Sequence, residues 1–288
     1  MRIADVEAGR PVEGVYAVVS KQRRHDKNGD PYLVLELSDA TGRIEGRVWK
    51  NADWFDRSVQ EGDRVRAVGR GSAFRDQVQL DIRRLDRIAE DDSVVADRSF
   101  IPATSRDLAD LAGELDFLAG EIAREDLRAV VAAVWDGPDR EALLRSPATA
   151  NDHHAHLGGL VEHTVSVAAI CLAAAERHDR LDRDLLLAAA LLHDIGRMRE
   201  LRAEAAIETD PDGALVGHVL LGHELVSAAA ARVAAVGSYG DPRTQPWWPK
   251  LIHAMSTHHG PVERCRTREA VVLVSANALD ARLAQRDR

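Results

Sequence analysis

Leu191-Leu192-His193-Asp194-Ile195-Gly196-Arg197 closes an Ala- and Leu-rich run that starts near Arg183. Neighbouring residues on a helix diverge by about 100°, so an adjacent His and Asp can address one point only at a helix end or inside a bundle. Gly196 is read as the helix stop. A lone His-Asp pair among 12 histidines carries little weight. It gains weight because other histidines fall at helix-scale distances on both sides. His163 lies in the first turn of an apolar-periodic run over residues 160–175, and His218 opens another. His258 and His259 close a further one, while Asn277 and Asp280 sit one turn apart on the last. Imidazole and carboxylate donors suit Mn, Fe, Zn or Ni, and a carboxylate shared among several histidines suits a two-metal hydrolytic centre. No Ser-His-Asp or Cys-His arrangement competes.

Around these ends the pattern is helical throughout. Leu108, Leu111, Leu115, Leu118 and Ile122 recur at three and four, and Leu127, Val130, Val131 and Val134 continue after a break near Arg124. Ser105 is the expected N-cap, Pro138 the start of a short helix, and Pro211, Asp212 and Gly213 a loop. Pro246-Trp247-Trp248-Pro249 reads equally as an interface or as a loop packed on its own bundle.

The first third differs. Residues 12–20 alternate, and Asn28-Gly29 between two such runs signals a hairpin. Tyr32-Leu33-Val34-Leu35-Glu36-Leu37 returns, residues 44–49 form a third strand, residues 51–58 a short helix, and residues 65–71 and 77–85 two more strands. Five short strands with a helix after the third match an OB-type barrel. Such barrels bind single strands with aromatic platforms and a basic groove. Tyr32, Trp49, Trp54, Phe55 and Phe74 are the stacking candidates, and Arg23, Arg24, Arg47, Lys50 and Arg75 the phosphate candidates. The competing reading makes Trp54 and Phe55 core and the arginines a solvated face, since OB barrels also serve as protein-interaction modules.

The chain of 288 residues is 45% hydrophobic, enough for real cores. The expected architecture is α+β and multidomain: a five-stranded OB-type β-barrel over residues 1–90, a linker over 91–110, and an all-α bundle over 111–288. Residues 1–90 hold 17 Lys/Arg against 16 Asp/Glu, and the remainder 21 against 31. A nucleic-acid face at the N-terminus is thus permitted, and the acidic surplus elsewhere suits a cation site. No apolar run of about eighteen residues argues for a membrane span, and no leader pattern opens the chain. Cys171 and Cys265 lie outside any CxxC, which fits a reducing, cytoplasmic setting.

In order and spacing, these motifs resemble the HD-domain metal-dependent phosphohydrolases. The closer likeness is to the YhaM-type 3′→5′ exoribonucleases, which join an OB domain to an HD domain. It rests on Asn28-Gly29, Asp39-Ala40-Thr41-Gly42-Arg43-Ile44-Glu45-Gly46-Arg47-Val48-Trp49, His153-His154, Gly159-Leu160 through His163, and His193-Asp194-Ile195-Gly196. It continues through Glu200-Leu201, Gly217-His218, His258-His259-Gly260 and Leu279-Asp280-Ala281. The resemblance implies removal of nucleotides from the 3′ end of single-stranded RNA, or of single-stranded DNA, by a metal-activated hydroxide. It also implies two divalent ions, manganese first, with iron, cobalt, nickel, zinc or magnesium open. His163, His193 and Asp194 would hold the first ion with the final-helix residue, His218 and His258 would complete the second, and Asp194 would bridge. His154 and His259 are candidates for phosphate contact or leaving-group protonation. A homo-oligomer is a further implication.

Two departures stand out. Arg197 occupies the place of a usual lysine, and arginine still binds phosphate. Asn277 occupies the place of the usual final aspartate, with Asp280 one turn on, which leaves the last ligand open between Asn277 and Asp280. Asparagine offers only a neutral oxygen. The alternatives are therefore an HD nucleotide phosphohydrolase or cyclic-dinucleotide phosphodiesterase, and a catalytically impaired nucleic-acid-binding regulator.

Overall fold

The structure is a computed structural model that describes residues 1–74, 77–88, 100–137, 139–203 and 206–286. Arg75, the segment Asp91-Asp92-Ser93 and the expected helix start at Pro138 lie outside the described residues. The chain divides into two compact units, Met1–Ala103 with Ala203–Ile207, and Thr104–Arg202 with Glu208–Arg288.

The first unit is a closed barrel in the order β1-β2-β3-β5-β4, from β1 (Pro11–His25), β2 (Pro31–Asp39), β3 (Gly42–Val48), β4 (Arg64–Phe74) and β5 (Gln77–Arg87). β1 runs past the expected end at residue 20 because it serves two partners. Pro11 to Ala17 pair with β4, Ala17 to His25 pair with β2, and the register shifts between Val18 and Ser20. Such an irregularity bends a strand, as closure requires. Arg23 and Arg24 therefore lie on a strand and not in the turn. Parallel pairing of Gly46–Val48 with Leu80–Ile82 closes the barrel. Tyr16, Leu33, Leu35, Leu37, Val65, Ala67 and Leu80 fill it. Between β3 and β4, helix α1 (Ala52–Ser58) adds Ala52 and Phe55 to that core.

The second unit holds α2 (Leu108–Gly120), α3 (Glu125–Trp135), α4 (Arg140–Arg145), α5 (Gly159–Arg177), α6 (Arg183–Leu192) and α7 (Arg197–Glu200). After these come α8 (Pro211–Val216), α9 (His218–Val236), α10 (Trp248–Thr257) and α11 (Arg268–Ala284). Asp107, not Ser105, caps α2, accepting from the Ala109 amide. The expected loop at Pro211 is helix α8, because Asp210 caps it and Pro211 takes a first-turn position where no N–H is needed. A two-stranded ribbon, Leu201–Ala203 with Ile207–Thr209, also interrupts the helices, too short to leave a period in the sequence. Trp247 is buried and donates Nε1–H to Asp126 at 2.8 Å, so the Trp-Trp segment packs on its own bundle.

α6 is the axis of this unit. Every residue from Leu185 to Leu192 is buried, as in a helix enclosed on all sides. Its N-terminus is capped by Asp182, and the Trp135 indole takes up the Leu191 carbonyl near its end at 2.8 Å. His193 and Asp194 thus emerge into the interior of the bundle. The two longest helices, α5 and α9, are apolar and long enough by composition to cross a membrane. Both contribute residues to the bundle core, among them Val165, Val167, Val226 and Ala229.

Gly196 does not act as a left-handed stop. Its φ of −68° is helical, and its need is closeness: a Cβ there would lie 2.0 Å from the His218 carbonyl oxygen and 2.5 Å from the Gly222 amide. That backbone contact seats α9, and with it His218, beside the His-Asp pair. Gly196→Ala should therefore push α9 away and destabilise the protein by about 1–3 kcal/mol, read as a lowered Tm together with weaker metal binding.

Candidate metal centre

Four helices bring their ends to one place. His163 comes from the first turns of α5, His193 and Asp194 from the end of α6, His218 from the start of α9, and His258 and His259 from the end of α10. Burial is nearly complete for His163, His193, Asp194 and His258, whereas the His259 side chain is 40% exposed and marks the open side.

Asp194 divides these residues between its two oxygens. Oδ2 lies 3.8 Å from Nε2 of both His163 and His193. Oδ1 lies 3.1 Å from His258 Nε2, 3.4 Å from His218 Nε2 and 3.8 Å from His259 Nε2. Two groups of potential ligand atoms result, His163-His193-Asp194 and Asp194-His218-His258-His259.

The far side of each ring is held. His193 Nδ1 bonds the Ala190 carbonyl at 2.8 Å and His258 Nδ1 the Met255 carbonyl at 2.5 Å. His163 Nδ1 bonds Asp280 at 2.6 Å, and His218 Nδ1 lies 3.2 Å from Glu200 Oε2. Since carbonyls and carboxylates only accept, these bonds put the proton on Nδ1 of His163, His193 and His218 and turn their Nε2 atoms inward, while His258 faces an acceptor from both ring nitrogens, Met255 from Nδ1 and Asp194 from Nε2 at 3.1 Å. His163 and His193 then oppose two lone pairs at 3.2 Å, an arrangement that a cation between the rings relieves.

The protonation states agree. Burial holds His193 well below its ordinary value. Burial and then the Arg197 charge lower His218, and burial with His258 pushes His259 down to about 3. Burial alone would raise Asp194, but His193, Arg197 and His258 outweigh it and keep the carboxyl well below the carboxylate range. Neutral imidazoles around an ionised carboxylate are the ready state of a divalent-metal donor set. Asn277 fits as a neutral oxygen donor: its amide donates to the His258 carbonyl at 3.3 Å, while its Oδ1 is buried without a hydrogen-bond partner among the described residues.

Asp280 lies elsewhere. Its Oδ2 accepts from His163 and, at 3.0 Å, from His154 Nε2, and its Oδ1 accepts from the Ser166 hydroxyl. It shares a potential ligand group with His154 and His163 but not with His193 and Asp194. His154, expected at the substrate, has a side chain only 10% exposed and turned to Asp280. His259, expected for phosphate contact, joins the second ligand group instead. Arg197 stands at the open side, bonding Glu200 at 2.6 Å and reaching His259 at 3.3 Å. Glu200, given no role from the sequence, secures both Arg197 and His218. Its signal was a carboxylate three residues after the arginine on a helical turn.

In the barrel unit four of the expected residues cluster. Tyr32 and Trp49 stack at 4.6 Å, and the Arg47 guanidinium lies over Trp49 at 5.8 Å and Phe74 at 4.9 Å. Trp49 and Phe74 are about half exposed, as a platform requires. Phe55 is core, whereas Trp54 is exposed beside it. Arg23 pairs with Asp53, Arg24 bonds Gln22, and Lys50 is exposed next to Trp49.

Comparison with known proteins agrees with both units. The OB-fold nucleic acid binding domain family matches residues 15–88 and the HD domain family residues 160–282. The class is an OB-fold domain joined to an HD domain. Along the whole chain it is similar to the 3'-5' exoribonuclease YhaM of Listeria innocua, at 28% identity over 100% of this chain and 90% of that one. The YhaM of Bacillus subtilis is 27% identical over 98% of this chain and 88% of its own. Among solved structures, a domain of replication protein A from Methanococcus maripaludis covers 31% of the chain with a TM-score of 0.27 and 19% identity.

The two final-helix residues are separable by metal titration. Asn277→Asp should tighten binding of one ion, and Asp280→Asn should weaken it about 10–100-fold, the usual cost of losing a group that orients a ligand. Unchanged affinity in Asp280→Asn would remove its orienting role.

Proposed function

We propose that the chain is a metal-dependent 3′→5′ exonuclease of single-stranded nucleic acid, with RNA as its first substrate. The observation that carries this reading is Asp194, whose two oxygens face two separate histidine groups. Under this reading His163, His193 and Asp194 Oδ2, with Asn277, hold one divalent ion, and Asp194 Oδ1, His218, His258 and His259 hold the other. Manganese is the proposed ion. Bound divalent ions make water nucleophilic at neutral pH and offset charge at phosphorus.

The chain's own residues do the rest. Asp280 orients His163, and Glu200 orients His218 while holding Arg197 at the open side. There the guanidinium is placed to take a phosphate oxygen. The Tyr32, Trp49 and Phe74 rings stack bases regardless of sequence, with Arg47 among them. The direction of digestion rests on the likeness to the YhaM proteins.

The test is a 5′-labelled single-stranded RNA with Mn²⁺. Stepwise shortening from the 3′ end is expected, with both metal binding and shortening lost in His193→Ala and Asp194→Ala. Full turnover in either variant would sink the assignment. Binding without shortening would favour the impaired-regulator reading that Asn277 motivates. Trp49→Ala should cost about 1–3 kcal/mol of oligonucleotide affinity, measured by fluorescence anisotropy, and leave the metal content unchanged.

A further inference from the structure

A separate set of donors lies where the chain enters α5. His154, His156 and Glu162 each offer a ligand atom, all within 4.8 Å of one another. His156 Nε2 lies 2.8 Å from Glu162 Oε2, and His154 Nδ1 lies 4.0 Å from the same oxygen. Neither His156 nor Glu162 belongs to the groups around Asp194.

The backbone is shaped to bring them together. His154 has a φ of 50°, left-handed for a residue with a Cβ, at a cost of about 1–2 kcal/mol. The His156 amide donates back to the His154 carbonyl at 2.9 Å. Gly159 packs on that carbonyl so closely that a Cβ would sit 2.1 Å from its oxygen. Glu162 lies in the first turn of α5.

The tautomer of His154 decides what the cluster needs. Asp280 accepts from His154 Nε2, so the ring carries its proton there and its Nδ1 lone pair faces Glu162. An acceptor then faces a carboxylate, and the second imidazole, His156, shares its Nε2 proton with that carboxylate at 2.8 Å, a proton that a bound cation would displace. Two imidazoles and one carboxylate are a donor set found in zinc sites that keep an open position. We propose that His154 Nδ1, His156 Nε2 and the Glu162 carboxylate hold a third divalent cation, of the zinc or manganese class. Asp280 links the site to the centre, accepting from both His154 and His163. All three side chains keep some exposure, at 10%, 24% and 22%, so water completes the coordination.

The rival arrangement is a proton in place of the metal, with His154 as an imidazolium between Asp280 and Glu162. Metal counting separates the two. The full chain is stripped with a chelator, loaded with Zn²⁺ or Mn²⁺, desalted, and counted by plasma mass spectrometry and native mass spectrometry. Wild type should carry one ion more than His156→Ala and one more than Glu162→Gln, each checked for folding by its melt. The double variant His193→Ala/Asp194→Asn should keep the outer ion, so failure of the two-ion reading and failure of this proposal are distinguishable. His156→Gln, which retains hydrogen-bonding reach to Glu162, covers the case in which His156→Ala misfolds, and it too should lose the ion. Equal metal content in wild type and the folded outer variants would overturn the proposal.

Discussion

Asp194 carries its charge at 1% side-chain exposure, beside His193, His218 and His259, which burial pushes toward the neutral form. The nearest fixed positive charge is the Arg197 guanidinium, its Nε 3.6 Å away and already shared with Glu200. Burying a carboxylate is costly unless its neighbours offset it, and the rest of the helical unit is arranged around that cost. α6 is enclosed so that its C-terminal residues can be internal. Gly196 and Gly222 let α9 approach backbone to backbone. The carbonyls of Ala190 and Met255 and the carboxylates of Asp280 and Glu200 turn four rings so that their Nε2 atoms converge. A metal ion would balance this arrangement, and its binding energy would become stability of the bundle.

The barrel solves a different problem. Its long first strand is shared by two neighbours, and the register shift near Val18 lets one strand bend between them. The aromatic cluster sits on the outer surface, where Trp49 follows the end of β3 and Phe74 ends β4. Arg47 lies over two of its rings, Trp49 and Phe74. Its ion pair with Glu45 at 2.7 Å keeps the guanidinium in place.

What was legible in the sequence was whatever depends on period or on turn chemistry. Asn28-Gly29, the alternation of β2 and the Leu heptads of α2 located elements to within a few residues. The histidines at helix ends pointed to one centre because helix ends meet in bundles. What depends on tertiary contact was hidden. Gly196 looked like a stop, although its task is to admit another helix. The reach of β1 to His25 depends on its pairing with β2, which no local signal carries. Asp280 and Asn277 looked interchangeable one turn apart, yet Asp280 is turned to His163, His154 and Ser166 while Asn277 keeps its oxygen unpaired. A helical period cannot distinguish such neighbours, because it states the face and not the partner.

The order of the donors along the chain has its own consequence. They are drawn from α5, α6, α9, α10 and α11, so a growing polypeptide owns most of the ligands long before it can use them. His163 and His193 could come together early, since α5 and α6 are consecutive. His193 is oriented by the Ala190 carbonyl of its own helix, whereas the orientation of His163 still waits for Asp280 on α11. An ion bound in the centre would therefore report that α11 has docked against α5.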